Sequence, residues 1–509
     1  MKFIKYIAIP FLFLALVSGG CKKDLLNITP LSSINPDDFF RNEKEASVAL
    51  TGVYSALDEM WISFDAMSDD LYDQYPWEGP TEVGDGTYNP TSGYINWKWT
   101  TNYRGIGRAN RFIDNMEQKA KFDATKMSQM IGEAKFLRAF WYADLADFYQ
   151  DVPLILVPQS LAEANTPKST KDQVITAVLK DLDDAIATLP ASYGAGDVGR
   201  ATKGAAMALK ARVLLYNQRW AESAVAAKSV MDLSVYSLYP SYSELFTVQA
   251  ENNSEVIFDA QYQKNVRPQG YTTTIRDWRS DVPFVQLTND YYMSNGKPIS
   301  DPASGFDPSK PFKNRDPRLN MTLVVPGEIY HGAPYIPAND FSPTGMAIRK
   351  WVEEDNLEYW NGELNIILIR YADVLLMYAE AQNEAVGPDA GVYDAINAVR
   401  DRAGMPHVTS GLSKEAMRSE IRHERRIEFV AEGLRYSDIR RWKIAETVMV
   451  NGLGYDSGKL SDPTDPASWI FDVINANSRV FSAPKDYVWP IPQAEIQTNK
   501  KLVQNPAWN

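Results

Sequence analysis

The stretch Ile369–Ala381, IRYADVLLMYAEA, decides the fold of this chain. Tyr371, Leu375 and Tyr378 recur along it at helical spacing, which predicts one continuous helix. A second helical pattern follows at residues 392–403. Small alanine side chains in both segments allow the two helices to approach closely, so the sequence predicts a packed helix pair.

An earlier part of the chain repeats this arrangement. Residues 205–216 and 221–233 are two alanine-rich helical patterns joined by a short turn, and together they look like a tetratricopeptide-type helix pair. Further helices are predicted at 104–116, 130–149 and 171–189. No strict period of about 34 residues runs through the chain. The predicted fold class is mainly α, with degenerate tetratricopeptide-type helix pairs as a scaffold and a long, loop-rich ligand-binding region.

Three long loop regions interrupt the helices, near residues 71–103, 262–365 and 446–487. They are rich in Gly, Pro, Asn, Asp and Ser. Loops of this length inside a folded protein are usually functional or disordered, and the Trp and Tyr content of these three argues against disorder. We therefore expect the loops to carry the binding function.

Several motifs around the opening stretch carry a family resemblance. In the same half of the chain lie Ile396–Gly404 (INAVRDRAG), Glu424–Phe429 (ERRIEF), Glu432–Trp442 (EGLRYSDIRRW), Trp489–Pro492 (WPIP) and Gln504–Trp508 (QNPAW). Earlier segments agree, namely Gly132–Ala139 (GEAKFLRA), Asp151–Leu154 (DVPL) and Asn314–Leu319 (NRDPRL). Together these motifs span nearly the whole mature chain, which resembles the SusD/RagB family of Bacteroidetes outer-membrane lipoproteins.

The resemblance implies both an architecture and a function. Proteins of this family sit on the outer face of the outer membrane, cap a SusC-like TonB-dependent transporter and capture oligosaccharides for import. Four degenerate helix pairs, a shallow ligand site made by loops, and no catalysis are implied. Because family members bind different ligands, the charges of the shared motifs are expected to form a structural ion-pair network. Arg370 and Asp373, three residues apart, are expected to pair on the helix surface.

The N-terminus predicts export and a lipid anchor. Lys2 and Lys5 precede an apolar run, and small residues then lead to Cys21, which is the single cysteine of the 509 residues. This order is typical of a secretory signal. The sequence predicts a signal peptide at 1–20, acylation of the Cys21 thiol, for example by palmitate, a lipidated tether at 21–37 and a SusD-like body at 38–509. Ser18 departs from the usual lipoprotein box, which has Leu three residues before the cysteine.

The net charge limits the classes of partner. The chain carries a net charge of −13, and loss of the two signal-peptide lysines would make it −15. An acidic body argues against nucleic acid, which rewards basic faces. It also argues against adsorption to anionic lipid, so the membrane anchor has to be covalent.

The candidate binding residues follow from the chemistry of sugars. Sugar rings present apolar C–H faces with polar rims, so a site needs flat aromatic platforms and hydrogen-bonding side chains. Residues 71–103 hold eight aromatic residues, and similarity to a SusD-type pocket makes the pair Trp99 and Asn102 the first choice. The alternative for Trp99 is a core position beneath the loop. The remaining candidates are Tyr75, Trp77, Trp97, Tyr271, Arg276, Trp278, Tyr359 and Trp360.

Two rival functions stay open from the sequence. A helical glycoside hydrolase would need a pair of acids, and the acidic cluster Asp65, Asp69, Asp70 and Asp73 is more simply a solvated loop or helix start. The three histidines, at 331, 407 and 423, are too scattered for a zinc site. The second rival is a tetratricopeptide scaffold that binds only protein. No cofactor is expected, and no ligand spacing supports calcium in the loop 456–465.

Overall fold

The computed structural model describes residues 40–57, 59–462 and 465–509, and of residues 59–62 only the backbone. The predicted signal peptide, the tether and Cys21 lie outside the described residues. No helix among the described residues is long and apolar enough to cross a membrane.

Helices dominate the described chain. They are α1 (Glu43–Tyr54), α2 (Pro80–Gly84), α3 (Gly93–Lys119), α4 (Ala124–Tyr149), α5 (Lys171–Thr188), α6 (Lys203–Tyr216), α7 (Trp220–Asp232), α8 (Tyr271–Asp277), α9 (Val285–Asp290), α10 (Arg318–Thr322), α11 (Tyr371–Val386), α12 (Ala390–Arg402), α13 (Lys414–Glu428), α14 (Arg435–Arg441), α15 (Ala445–Val448) and α16 (Gln493–Thr498). Polar caps begin several of them: the side chains of Asn42, Asp123, Thr170, Thr202, Asp389 and Ser413 each accept a backbone N–H from the first turn.

The helices pack in series. Helix α4 lies between α3 and α5, α6 packs against α5 and α7, and α7 packs against α11, which also contacts α12 and α13. The predicted pairs α6–α7 and α11–α12 are therefore confirmed. Gly105 shows why α3 and α4 come so close, since a Cβ at this position would overlap the indole of Trp141.

Four of the five short antiparallel strand pairs lie within the predicted loop regions, and β2–β8 lies just outside the loop predicted at 262–365. The strands are β1 (Leu71–Asp73), β2 (Val256–Ala260), β3 (Asp281–Pro283), β4 (Leu323–Val324), β5 (Ile329–Tyr330), β6 (Ala333–Pro334), β7 (Ala347–Ile348), β8 (Ile366–Arg370), β9 (Gly452–Tyr455) and β10 (Val473–Asn477). The pairs are β1–β3, β2–β8, β4–β7, β5–β6 and β9–β10. The prediction of a continuous loop at 71–103 was wrong from residue 93 onward, where α3 begins eleven residues before the predicted start.

The motif charges form the expected ion-pair network, and the network is buried. The Glu428 carboxylate accepts from Arg318 (2.8 Å) and Arg370 (2.6 Å), and also pairs with Arg402. Arg370 further contacts Glu255 and Glu432, each at 2.7 Å. Burial opposes ionisation of Glu428, but the surrounding guanidinium groups hold its pKa well below the ordinary value.

Arg370 and Asp373 do not pair with each other, so that detail of the prediction was wrong. Arg370 ends β8, whereas Asp373 lies in the first turn of α11 and contacts Arg212 (2.7 Å) and Arg425 (2.9 Å). Both side chains are buried. The three-residue spacing fails here because the first residue of the pair belongs to a strand, where side chains do not follow the helical period.

The acidic cluster is also buried, contrary to the expectation of a solvated loop. Asp65 accepts the backbone N–H groups of Glu432 (3.0 Å), Gly433 (3.1 Å) and Arg435 (2.9 Å). Asp69 pairs with the Arg435 guanidinium at 2.8 Å. These contacts fasten the segment before β1 to the turn between α13 and α14.

Candidate ligand-binding surface

The pairing of β1 with β3 assembles a surface from distant parts of the chain. Asp73 lies opposite Asp281 in the antiparallel register. Just beyond β1, the side-chain amide of Gln74 donates to the carbonyl oxygens of Trp278 (3.2 Å) and Arg279 (2.7 Å), which lie just before β3. The segment that follows β1 and the segment that precedes β3 are therefore side by side.

Two aromatic residues lie on the first of these segments. Tyr75 and Trp77 stack with ring centroids 4.9 Å apart and an interplanar angle of 26°. Trp77 is the more exposed, with 77% of its side chain accessible. A large aromatic ring that is stacked on one side and open to solvent on the other presents a platform for an apolar ligand face.

A second aromatic group lies close by. The rings of Trp278 and Trp360 meet edge to face, with centroids 5.1 Å apart and planes at 73°. The backbone N–H of Trp360 donates to the Thr273 hydroxyl (3.0 Å), which ties this residue to α8. Trp360 and its neighbour Tyr359 are both more than half exposed. We call Tyr75, Trp77, Trp278, Tyr359 and Trp360 together the aromatic surface.

Arg276 positions the loop beneath the aromatic surface and does not project from it. Its guanidinium donates to the Asp277 carboxylate from Nε (3.0 Å) and Nη2 (2.6 Å). The Nη1 group donates to the carbonyl oxygens of Glu353 (3.3 Å) and Asn356. Because these contacts engage every nitrogen of the buried guanidinium, the predicted role of Arg276 as a donor to ligand hydroxyls is not supported.

Three more of the predicted site residues are in the core. Trp99 is 3% exposed, with its ring edge to face with Tyr149 at 5.0 Å. Buried Asn102 donates to the Asp144 carboxylate at 2.6 Å. Buried Tyr271 donates its hydroxyl to Asp281 at 2.8 Å. The prediction that these residues bind ligand is corrected here, since none of them presents a free surface.

Trp97 is neither fully exposed nor fully buried. It is half-buried in α3 and stacks on Tyr94 with centroids 5.2 Å apart. A helix that begins at residue 93 turns Trp97 and Trp99 by about 200° relative to each other, because successive residues are about 100° apart around the axis. The two tryptophans therefore cannot share one platform, as a loop would have allowed.

Polar residues that the sequence did not single out frame the aromatic surface. The Ser280 hydroxyl donates to Glu78 (2.9 Å), and Arg279 donates from Nε to Asp340 (3.0 Å). Burial raises the pKa of Glu78, and the hydrogen bond from Ser280 opposes this. No local pattern marks these residues, because each contact joins segments more than sixty residues apart.

Carboxylates beneath the aromatic surface are engaged in structure. Asp73 accepts the backbone N–H of Tyr75 (2.9 Å), and burial, with Asp281 and Glu78 nearby, raises the pKa of Asp73. Burial also raises the pKa of Asp281. Within the described ranges, no three His, Cys, Asp or Glu side chains come together as a metal site. In the loop 456–465, Asp456 accepts the backbone N–H of Gly458.

Comparisons with known proteins identify the family. A family model described as SusD family matches residues 244–508, which is more than half of the chain. The chain belongs to the SusD family. A second model, described as starch-binding and associating with the outer membrane, matches residues 44–215.

Individual SusD-family proteins are similar over almost their full length. A SusD-like protein P25 of Formosa agariphila is 26% identical, with 98% of each chain covered. The crystal structure of a SusD-like carbohydrate-binding protein from Bacteroides fragilis is 31% identical with a TM-score of 0.82, and the match covers 91% of this chain and all of that one. Another SusD-like protein of the same organism is 27% identical with a TM-score of 0.80, covering 94% and 99% of the two chains. The predicted family and the mainly helical fold are thereby confirmed.

Proposed function

We propose that this chain is a cell-surface lipoprotein that binds oligosaccharides at the aromatic surface and delivers them to a SusC-like TonB-dependent outer-membrane transporter. The observation that carries the proposal is the two aromatic pairs Tyr75–Trp77 and Trp278–Trp360, beside the strand pair β1–β3. Trp77 and Trp360 are the exposed members of these pairs. Flat rings with an open face suit the C–H faces of sugars. Membership of the SusD family and similarity to a protein described as carbohydrate-binding support the same ligand class.

The arrangement favours binding over hydrolysis. A glycoside hydrolase places two carboxyl groups on either side of the scissile bond, with access to water and ligand. Asp65, Asp69, Asp70 and Asp73, from which the rival enzyme would draw its acids, are buried. Their carboxylates hold backbone N–H groups or guanidinium groups, as with Asp65 on the turn before α14. These contacts assign the cluster to the scaffold.

Calorimetry with a panel of oligosaccharides tests the binding site. We expect Trp77→Ala to weaken binding of whichever glycan the native protein binds by about tenfold, since an aromatic stacking contact contributes about 1 kcal/mol beyond its buried area. Trp278→Ala should act in the same direction. Leu161→Ala is the matched control, because Leu161 is an apolar side chain that is 94% exposed on the connection between α4 and α5.

Two outcomes would count against the proposal. Sustained release of new reducing ends from a glycan would indicate an enzyme. Unchanged affinity in both tryptophan variants would move the site away from the aromatic surface. Binding of a peptide in place of every glycan would retain an import role and change the ligand class.

A further inference from the structure

The cations nearest the aromatic surface are neutralised by carboxylates of the same surface. Arg276 is paired with Asp277 at 2.6 Å, and Arg279 with Asp340 at 3.0 Å. Three of these four side chains are nearly buried, and only Asp277 is about one-quarter exposed. A ligand anion would therefore have to displace a protein carboxylate before either guanidinium was free to bind it.

Two further ion pairs lie near these groups. Lys264 contacts Glu358 at 2.6 Å, and Arg349, which lies with Arg279 over the ring of Tyr330, contacts Glu328 at 2.8 Å. Glu358 lies directly before Tyr359 and Trp360 in the chain. Its pairing with Lys264 therefore neutralises the charge of a lysine close to those rings. Each of these two ion pairs is neutral overall.

Further carboxylates add negative charge around the aromatic surface. Glu354 and Asp355 are exposed on the loop that leads to Trp360, and Glu354 contacts the imidazole of His331 at 3.0 Å. Glu78, one residue from Trp77, accepts a hydrogen bond from the neutral Ser280 hydroxyl. Carboxylate oxygens accept hydrogen bonds from sugar hydroxyls but repel sulfate and uronate groups.

We propose that the aromatic surface selects neutral oligosaccharides and discriminates against sulfated or uronate-rich ones. The inference rests on the proposed function and adds the charge class of the ligand. The attraction comes from aromatic rings, whose faces contact the uncharged C–H groups of a sugar, and the discrimination comes from carboxylates, which repel an anionic ligand. Specificity of this kind is a difference between two affinities, and the repulsive element supplies it.

The test compares neutral oligosaccharides with their chemically sulfated derivatives on the same backbones, by calorimetry of the intact protein. We expect each neutral oligosaccharide that binds to bind at least tenfold more tightly than its sulfated derivative. The double variant Asp277→Asn, Asp340→Asn keeps side-chain shape and frees Arg276 and Arg279 from their carboxylates. The sulfated oligosaccharide should bind this variant more tightly, so the ratio of the neutral to the sulfated affinity should fall severalfold. Added salt should reverse the gain in affinity for the sulfated oligosaccharide.

A control variant also removes two negative charges, at positions outside the aromatic surface. Glu117→Gln with Glu244→Gln removes two exposed carboxylates, one near the end of α3 and one after α7, and should leave the ratio unchanged. Tighter binding of the sulfated member by the native protein would overturn the charge selection while leaving glycan binding intact. Failure of both members to bind would instead overturn the proposed function and the inference with it.

Discussion

At the scale of single residues, the fold buries two neighbouring carboxyl groups, those of Asp73 and Asp281. They face each other across β1 and β3, and both are buried. Tyr271 donates its hydroxyl to Asp281, and the backbone N–H of Tyr75 donates to Asp73. Neither contact brings a positive charge. Two neighbouring buried carboxyl groups without a cation cannot both ionise cheaply, so the pair retains a proton.

Stability should therefore fall as the pH rises. Burial, with Asp281 and Glu78 nearby, raises the pKa of Asp73 to about 9, far above the value of about 4 in the unfolded chain. A raised folded-state pKa contributes stability that is fully present below about pH 4 and is lost as the pH rises through 9. We expect the melting temperature to drop between pH 6 and pH 9, and Asp73→Asn to reduce that drop.

A second aspartate gives the control for this experiment. Burial would raise the pKa of Asp69, but the guanidinium groups of Arg426 and Arg435 lower it to about 2. Asp69→Asn should therefore lower the melting temperature by a similar amount at pH 6 and at pH 9. If Asp73→Asn behaved in that way too, the two carboxyl groups would not share a proton.

The residue scale also shows what the sequence was able to predict of the site. The aromatic chemistry of polar segments predicts Tyr75, Trp77, Trp278 and Trp360, and the structure brings them to one surface. Family similarity predicts Trp99 and Asn102, but they lie in α3, where burial of one helix face is decided by packing against α4. The exposure of a side chain depends on how distant segments pack against it. A local pattern of aromatic residues therefore does not predict which of them are exposed.

At the scale of elements, helices followed from the sequence and strand pairs did not. The pairs α6–α7 and α11–α12 have apolar periods, and α6 and α12 also begin at polar caps, so the information is local. Strands β1 and β3 are three residues each and lie more than two hundred residues apart. Segments that short carry too few alternations to predict a strand, and their partner is set by tertiary contacts.

The ion-pair network joins four elements of the chain, α10, α12, α13 and β8. Glu428 at the end of α13 contacts Arg370 of β8, Arg402 of α12 and Arg318 of α10. We expect Glu428→Gln to lower the free energy of unfolding by about 3–5 kcal/mol, because loss of the carboxylate leaves three buried cations poorly compensated. Urea unfolding followed by circular dichroism measures the change.

A surface ion pair provides the comparison. Lys228 and Asp232 pair on α7 with about half of each side chain exposed. Asp232→Asn should change the free energy of unfolding by less than about 1 kcal/mol, since solvent screens such a pair. Equal effects of the two substitutions would mean that the buried network is no more important for stability than a surface contact.

At the scale of the whole molecule, the acidic body and the single cysteine bear on the proposed attachment to a membrane. A net charge of −13 gives no attraction to anionic lipid. A glycan receptor free in solution would lose captured ligand by diffusion, so the proposed import role needs an attachment that holds the protein beside the transporter. Acylation of Cys21 is the attachment that the sequence offers.

Cys21→Ser should therefore separate binding from import. The purified variant should bind glycan with the affinity of the native protein, because the aromatic surface begins more than fifty residues further along the chain. In cells that depend on this receptor, the variant should leave the outer-membrane fraction, fail to incorporate labelled palmitate and reduce glycan uptake. One acyl chain alone gives only weak, reversible membrane binding, so retention of the native protein would also require further acylation or contact with the transporter. Normal uptake by a released Cys21→Ser protein would contradict the need for tethering, and membrane retention without the label would point to attachment through the transporter alone.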